Sequence, residues 1–186
     1  MDELIQLASY IKERNQTELR IMELINRPAA IGHIGEYIAS KIFRINLESS
    51  ASNKGSDGFF EEGPLKGRSV NIKWYAMREG ILDINAEASG RPDYYLVLAG
   101  PKSAQMTSKG VPRPWVVESV FLFDANTLVE RLLSSGRKLG IAASVAQAFW
   151  EEAEIYPQQR SKLIELSDDQ RRLLELFSEK TKNIFA

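Results

Sequence analysis

The residues with chemical potential lie close together between Ser56 and Tyr75, in the stretch Ser-Asp-Gly-Phe-Phe-Glu-Glu-Gly-Pro-Leu-Lys-Gly-Arg-Ser-Val-Asn-Ile-Lys-Trp-Tyr. They are an acid (Asp57), an amide (Asn71) and an ammonium (Lys73). A carboxylate is a hard oxygen donor for a divalent cation, and a fixed ammonium steadies negative charge that develops in a reaction. The stretch reads as a β-hairpin punctuated by Gly63, Pro64 and Gly67, with Pro64 suited to the second position of a type I or II turn. Its second arm alternates: Val70, Ile72 and Trp74 point one way, Ser69, Asn71, Lys73 and Tyr75 the other. A turn centred on Leu65 sets Asp57 opposite Lys73, with Cβ atoms roughly 4.5–5.5 Å apart and Asn71 a diagonal neighbour at about 7–8 Å. Three polar groups then converge on one face, and a one-residue slip of register undoes the arrangement. The plain alternative is a cross-strand ion pair on an ordinary amphipathic hairpin, worth little to stability.

At these residues the chain resembles the PD-(D/E)xK nucleases, the restriction-endonuclease-like superfamily. Their pattern is an acid on one hairpin strand and acid-x-Lys on the next, and here Asp57 and Asn71-Ile72-Lys73 stand in those places. A helix ahead of the hairpin often carries a further Glu, which Glu36 in Gly35-Glu36-Tyr37-Ile38-Ala39 is placed to match. Lys73-Trp74-Tyr75 is similar to the basic-aromatic ending of this strand in the Mrr-like and resolvase-like branches. The resemblance covers roughly residues 29–100. One departure matters: position 71 is Asn where the common pattern has Asp or Glu, which removes an anionic ligand. Some branches are similar in having Gln there.

The resemblance implies an α/β fold: a restriction-endonuclease-like mixed β-sheet core flanked by helices, with additional N- and C-terminal helices. It also implies a Mg²⁺-dependent DNA endonuclease, hydrolysing phosphodiesters in restriction, defence, repair or recombination. Asp57 is then the central metal ligand, Glu36 a second, directly or through water, and the backbone carbonyl of Ile72 a third, with Mn²⁺ able to substitute. Asn71 offers only a neutral carbonyl oxygen, so two carboxylates rather than three imply weak metal binding. Lys73 orients or deprotonates the attacking water, or stabilises developing charge; lysine, with an ordinary pKa of about 10.4, is a poor base, which favours the electrostatic role. The implied DNA contacts are Lys54, Ser56, Arg68, Tyr75 and Arg78 around the hairpin, and Lys102, Lys109 and Arg113 in the acid-free loop from Pro101 to Pro114. Relatives of this kind often act as homodimers, and the apolar N-terminal segment offers a face for one. On the same fold the alternative is a catalytically lapsed protein that binds nucleic acid or a protein partner. A third reading is an unrelated α/β domain with a structural hairpin.

Composition sets the bounds. With 186 residues, 44% apolar and 26% charged, the chain suits one domain: a core over 29–124, a helical extension over 1–27 and a helical part over 125–186. No apolar run approaches the ~20 residues of a membrane span. The acidic start lacks a signal-peptide profile, and no cysteine is present to form disulfides, so a cytoplasmic protein is expected. Net charge is −1, which draws no polyanion globally, yet residues 54–113 hold nine Lys/Arg against seven Asp/Glu. His33 is the only histidine, which excludes sites built on two or more. No phosphate-cradling glycine motif occurs.

The secondary structure expected around these groups follows from periodicity. Residues 2–14 read as one helix and a second follows Thr17 as N-cap, ending at Pro28. A third spans Ala29 to Phe43, with Glu36 on a flank of small residues (Ala29, Gly32, Ala39, Ser40) that lets a strand come close. Strands are expected at Ile45–Glu48, Asp93–Gly100 and Trp115–Phe123, while Met77 to Asn85 stays open between strand and helical turn. Asp124 or Asn126 caps a helix through Leu133 that Gly136 stops. Gly140 to Glu154 reads as an Ala-rich helix, and a capping box at Ser167 and Gln170 opens the last one.

Overall fold

The computed structural model describes residues 2–48, 55–85, 87–102, 113–137, 139–140 and 142–179. Within them the chain runs α1 (Asp2–Ile25), α2 (Ile31–Phe43), β1 (Ile45–Leu47), β2 (Gly58–Phe60), β3 (Ser69–Tyr75), β4 (Ile81–Asp83), β5 (Tyr94–Ala99), β6 (Ser119–Asp124), α3 (Ala125–Ser134), β7 (Ala142–Ser144), α4 (Gln147–Ala153), β8 (Glu154–Tyr156) and α5 (Asp168–Glu175). The fold is mixed α/β, with a six-stranded sheet in the order β1-β2-β3-β5-β6-β8 and a separate β4-β7 ribbon. Only β3 and β5 are parallel; the other pairs in the sheet are antiparallel.

Alternation along the central strands divides the core in two. Val70, Ile72, Trp74, Leu96, Leu98, Val120 and Leu122 face α2 and α5 in one cluster. Tyr95, Val97, Phe121 and Phe123 face α3, α4 and the β4-β7 ribbon in the other. Asn71 is buried and Lys73 and Tyr75 are half-buried, so the expected polar face of β3 is a covered one.

The front of the chain is one 24-residue helix, not two. Lys12 to Glu18 contains no glycine or proline, and local bonds carry the helix through: Arg14 pairs with Glu18, and Thr17 Oγ1 donates to the Glu13 carbonyl at 3.0 Å. Thr17 is therefore a mid-helix residue bonding back one turn, not a cap. The helix ends where Asn26 turns left-handed (φ 54°) ahead of Pro28. Residues 142–144 are likewise strand, not helix, because they pair with β4 (Leu82 opposite Ala143) and Ala143 is buried. Tertiary pairing overrides the helix preference of alanine there. By contrast α2, β5 and α3 fall where periodicity puts them, Asp124 Oδ1 accepts the Thr127 amide, and the Ser167–Gln170 capping box is complete.

The sheet meets α2 at Gly35. A Cβ there would stand 2.9 Å from Trp74 Cβ, whereas Gly32 has open space around it. The close approach thus rests on Gly35 and not on Gly32. We expect Gly35→Ala to cost roughly 1–3 kcal/mol by overpacking, and Gly32→Ala to stabilise by roughly 0.5–1 kcal/mol through helix propensity. Urea unfolding of both variants checks this; equal midpoints would mean the helix is not seated on Trp74.

Candidate functional site

The hairpin register differs from the expected one. Gly58 faces Val70 and Phe59 faces Ser69, so the turn centres one residue earlier, on Pro64, and Asp57 is not opposite Lys73. The reason lies in the turn, where a short 3₁₀ segment (Gly63–Leu65) is closed by the Gly67 amide on the Phe60 carbonyl at 2.8 Å. The carbonyl of Val70 also takes the Asp57 amide at 2.9 Å, although Val70 is already opposite Gly58. Two residues against one is the count of a β-bulge, which bends a strand and re-aims a side chain.

Beyond the bulge the two strands part. Asp57 stays bonded to the β1 side, its carbonyl accepting the Glu48 amide at 2.9 Å. Along β3 the next amide on that edge belongs to Ile72, and Asp57 Oδ2 accepts it at 2.6 Å. A carboxylate thus replaces a strand carbonyl at the fork. In an extended residue the carbonyl leaves on the same edge as the amide, so the Ile72 carbonyl faces the gap that β2 has vacated. Gly58 permits the crowding beneath, since a Cβ there would lie 2.4 Å from the Asn46 carbonyl oxygen.

Glu36 is near enough to Asp57 to act on its charge. Burial pushes the Asp57 carboxyl above its ordinary value of 3.8, against the bond from Ile72; the Glu36 carboxylate pushes it further up, while Lys73 and Arg27 pull it down. Glu36, Lys73 and Arg27 therefore each act on Asp57 at the β2/β3 fork. Glu36 is ion-paired with Arg27, its side chain 17% exposed against 41% for the arginine. Asn71 sits one peptide from the Asp57 contact, and its buried Oδ1 has no hydrogen-bond partner among the described residues. An orphaned buried carbonyl oxygen is costly, and it is a donor of the kind a hard cation accepts. Two carboxylates, this amide oxygen and the Ile72 carbonyl fit Mg²⁺ by chemistry. Among the described residues no group of three or more His, Cys, Asp or Glu could hold a metal alone.

The basic residues divide. Lys54 and Lys109 lie outside the described residues. Ser56 Oγ donates to the Gly58 carbonyl at 3.1 Å, so it braces the bulge. Arg68 pairs with Asp93 at 3.2 Å, at the start of β3. The Tyr75 hydroxyl, which burial drives upward in pKa, donates to Asp83 Oδ2 at 3.2 Å and accepts the Asp83 amide at 3.0 Å. These three are held in internal bonds. Past the ends of the parallel strands, Arg78 bridges to Lys102, and Arg113 pairs with Glu79 at 2.6 Å. Arg78 lies over the Phe121 ring at 5.2 Å, its pKa lowered by burial against the pull of Glu154 and Glu151.

No protein-family model matches this chain, and no curated protein matches it in sequence. The geometry has to carry the argument. Sequence reasoning missed Arg27, which nothing in the pattern marks: its role depends on the Asn26 turn that returns the chain to α2. His33 behaves as a helix-start residue, its Nδ1 3.0 Å from the Pro28 carbonyl. A cavity of about 480 Å³, lined by Lys41, Phe60, Leu65, Ser167 and Gln170 among others, includes none of the fork residues.

Because the Asp57 carboxyl titrates above 3.8 in the folded chain, the fold favours its protonated form, and the ionised form costs stability at neutral pH. Asp57→Asn keeps an acceptor for the Ile72 amide and removes that cost. The variant is expected to be more resistant to urea than the parent at pH 7. Its advantage should shrink as pH falls through the raised pKa and vanish below 3.8. A variant no more stable at pH 7 would refute the buried, crowded carboxylate.

Proposed function

We infer that this chain is a Mg²⁺-dependent DNA endonuclease of the PD-(D/E)xK kind, with its site at the β2/β3 fork. The observation that carries the reading is the Asp57 carboxylate on the Ile72 amide, acted on by Glu36 and Lys73, one residue along β3 from an Asn71 whose buried oxygen has no partner among the described residues. An acid raised in pKa by burial and by a second acid is an arrangement that a cation relieves. An open fork suits a polymer better than a closed pocket does.

Asp57, Glu36, the Ile72 carbonyl and Asn71 Oδ1 would hold the metal. When bound, Mg²⁺ lowers the pKa of a ligated water and polarises a phosphoryl oxygen. The protein's own contributions are separate. Asp57 keeps one oxygen on the Ile72 amide, which fixes the carboxylate plane and leaves Oδ1 for the ligand. Lys73 places positive charge beside Asp57, to orient the attacking water and to steady charge growing on the phosphate. Arg27 holds Glu36 in place in the resting chain. Arg78, Lys102 and Arg113, past the ends of β3 and β5, supply a track for the sugar-phosphate backbone. DNA is the partner on this reading.

A second reading is favoured by two observations: position 71 carries an amide, and Arg27 already neutralises Glu36. In that case the fork binds nucleic acid and cuts nothing.

Supercoiled plasmid with Mg²⁺ or Mn²⁺ separates the two. The nuclease reading expects nicking that falls at least about 100-fold in Asp57→Ala and in Lys73→Ala, the scale of losing an electrostatic group. Wild type inert on duplex, single-stranded and branched DNA, yet binding it with a steep salt dependence, would select the second reading, and Asn71→Glu should then raise metal affinity. Arg27→Ala supplies a further check. Freeing Glu36 should lower the Mg²⁺ concentration needed for half-maximal cleavage, and a raised requirement would remove Glu36 from the ligand set.

A further inference from the structure

Of the three tryptophans, Trp115 is the one the fold leaves open: it is 46% exposed, against 8% for Trp74 and 1% for Trp150. An indole is a large apolar surface, and holding half of it in water forfeits burial that a contact would recover. Its place is nonetheless fixed. The ring packs on that of Trp74, with centroids 6.4 Å apart. The residues after it are pinned: the Val116 carbonyl accepts the Trp74 Nε1–H at 3.2 Å, and the buried Val117 donates its amide to the Phe177 carbonyl at 2.8 Å. A rigid aromatic surface held in position before a ligand arrives binds at low entropic cost.

The segment crosses the ends of the parallel strands, where the Glu118 amide donates to Ala99, the partner of Tyr75. Trp74, on which the exposed ring rests, belongs to the core cluster beneath α2, and its Cβ is the atom that a Cβ at Gly35 would strike. Two short routes therefore link Trp115 to the fork. One runs through Trp74 to Lys73, its neighbour in β3; the other runs through Trp74 and Gly35 to Glu36, which acts on Asp57.

Charge around the ring is mixed. Arg113 is paired with Glu79, and Lys102 lines a cavity of about 470 Å³ together with Glu118 and Glu179. A nucleic acid held here gains more from the indole than from cations. In duplex DNA each base is stacked on its neighbours and shows only its edges in the grooves, so covering the indole with a base means unstacking that base first. An unpaired base offers its face freely, and stacking on an aromatic side chain is how single strands are gripped. We propose that Trp115 is a stacking platform for an unpaired base, and that the substrate of this site is single-stranded DNA rather than continuous duplex. The proposal rests on the reading of the fork as a DNA site.

The test uses the full chain without metal, an oligo-dT of about 12 nucleotides (within the ~4–16 that single-strand grooves span) and a blunt duplex of the same length. Because Trp74 and Trp150 are buried, acrylamide quenching of the intrinsic fluorescence reads Trp115. Oligo-dT should shield it and the duplex should not. By fluorescence anisotropy, Trp115→Ala should weaken oligo-dT binding roughly 5- to 150-fold, the loss of one stacked base, and leave duplex binding unchanged. Trp115→Phe, which keeps a ring, should stay within about threefold of wild type, and Trp115→Leu should fall with Trp115→Ala. Absence of shielding, an equal loss on duplex, or full binding by Trp115→Leu would overturn the proposal. Cleavage with Mg²⁺ then separates it from the reading beneath it. If wild type cuts DNA and Trp115→Ala binds and cuts equally well, the platform is refuted and the fork reading stands. If oligo-dT binds through Trp115 and nothing is cut, the platform stands and the nuclease reading fails. A chain that binds neither DNA overturns both.

Discussion

One hydrogen bond organises the candidate site: the Ile72 amide donated to the Asp57 carboxylate at 2.6 Å. A buried strand amide must be paired, and ordinarily the neighbouring strand supplies the carbonyl. Here the neighbour leaves after Val70, and a side chain takes its place. The exchange opens a fork in the sheet without leaving an orphaned donor. It also draws a carboxylate out of water, which is unfavourable unless hydrogen bonds and opposite charge compensate. Compensation is incomplete, because the Ile72 bond, Lys73 and Arg27 pull the Asp57 pKa down while burial and Glu36 hold it up. A raised carboxyl beside a second acid is a strained electrostatic arrangement, and such arrangements cluster where ligands bind.

The second acid reaches the fork through packing. Gly35 lets α2 press its backbone against Trp74, on the apolar face of β3, and Glu36 is the next residue along the helix. A larger side chain at 35 would press on the Trp74 side chain and lift the helix from β3. The position of Glu36 is therefore set by close contact between backbone and indole, and its orientation by Arg27. Both supports lie outside the short acid and acid-x-Lys pattern. The same pattern on a chain lacking a glycine at 35 need not assemble this site.

The alternation of β3, the identity of α2, the caps of α3 and α5 and the buried run of β5 were legible because each depends on neighbours within a few residues. The expected opposition of Asp57 and Lys73 is not what the strands adopt. Direct opposition of Asp57 and Lys73 required a uniform ladder, and the bulge at Asp57 and Gly58 breaks it. Bulges leave a faint mark in sequence, here a glycine that would otherwise weaken a strand. Thr17 misled for a related reason, since a cap and a mid-helix back-bond use the same hydroxyl. The strand at 142–144 was hidden because its partner lies some sixty residues away, at 81–83. Arg27 was hidden because its partner depends on the left-handed turn at Asn26.

Charge is spread unevenly along this chain. The net charge of −1 is the sum of unlike regions, with an acid-rich helix at the front and an excess of Lys and Arg over residues 54–113. Surface charges more than about 8–10 Å apart are largely screened at physiological salt, so each region presents its own field to a partner. Within that excess Arg113 is paired with Glu79, and Arg78 and Lys102 bridge past the ends of β3 and β5. The near-zero total is thus no argument against binding nucleic acid; what matters is where Arg78, Lys102 and Arg113 sit relative to the fork that Asp57 holds open.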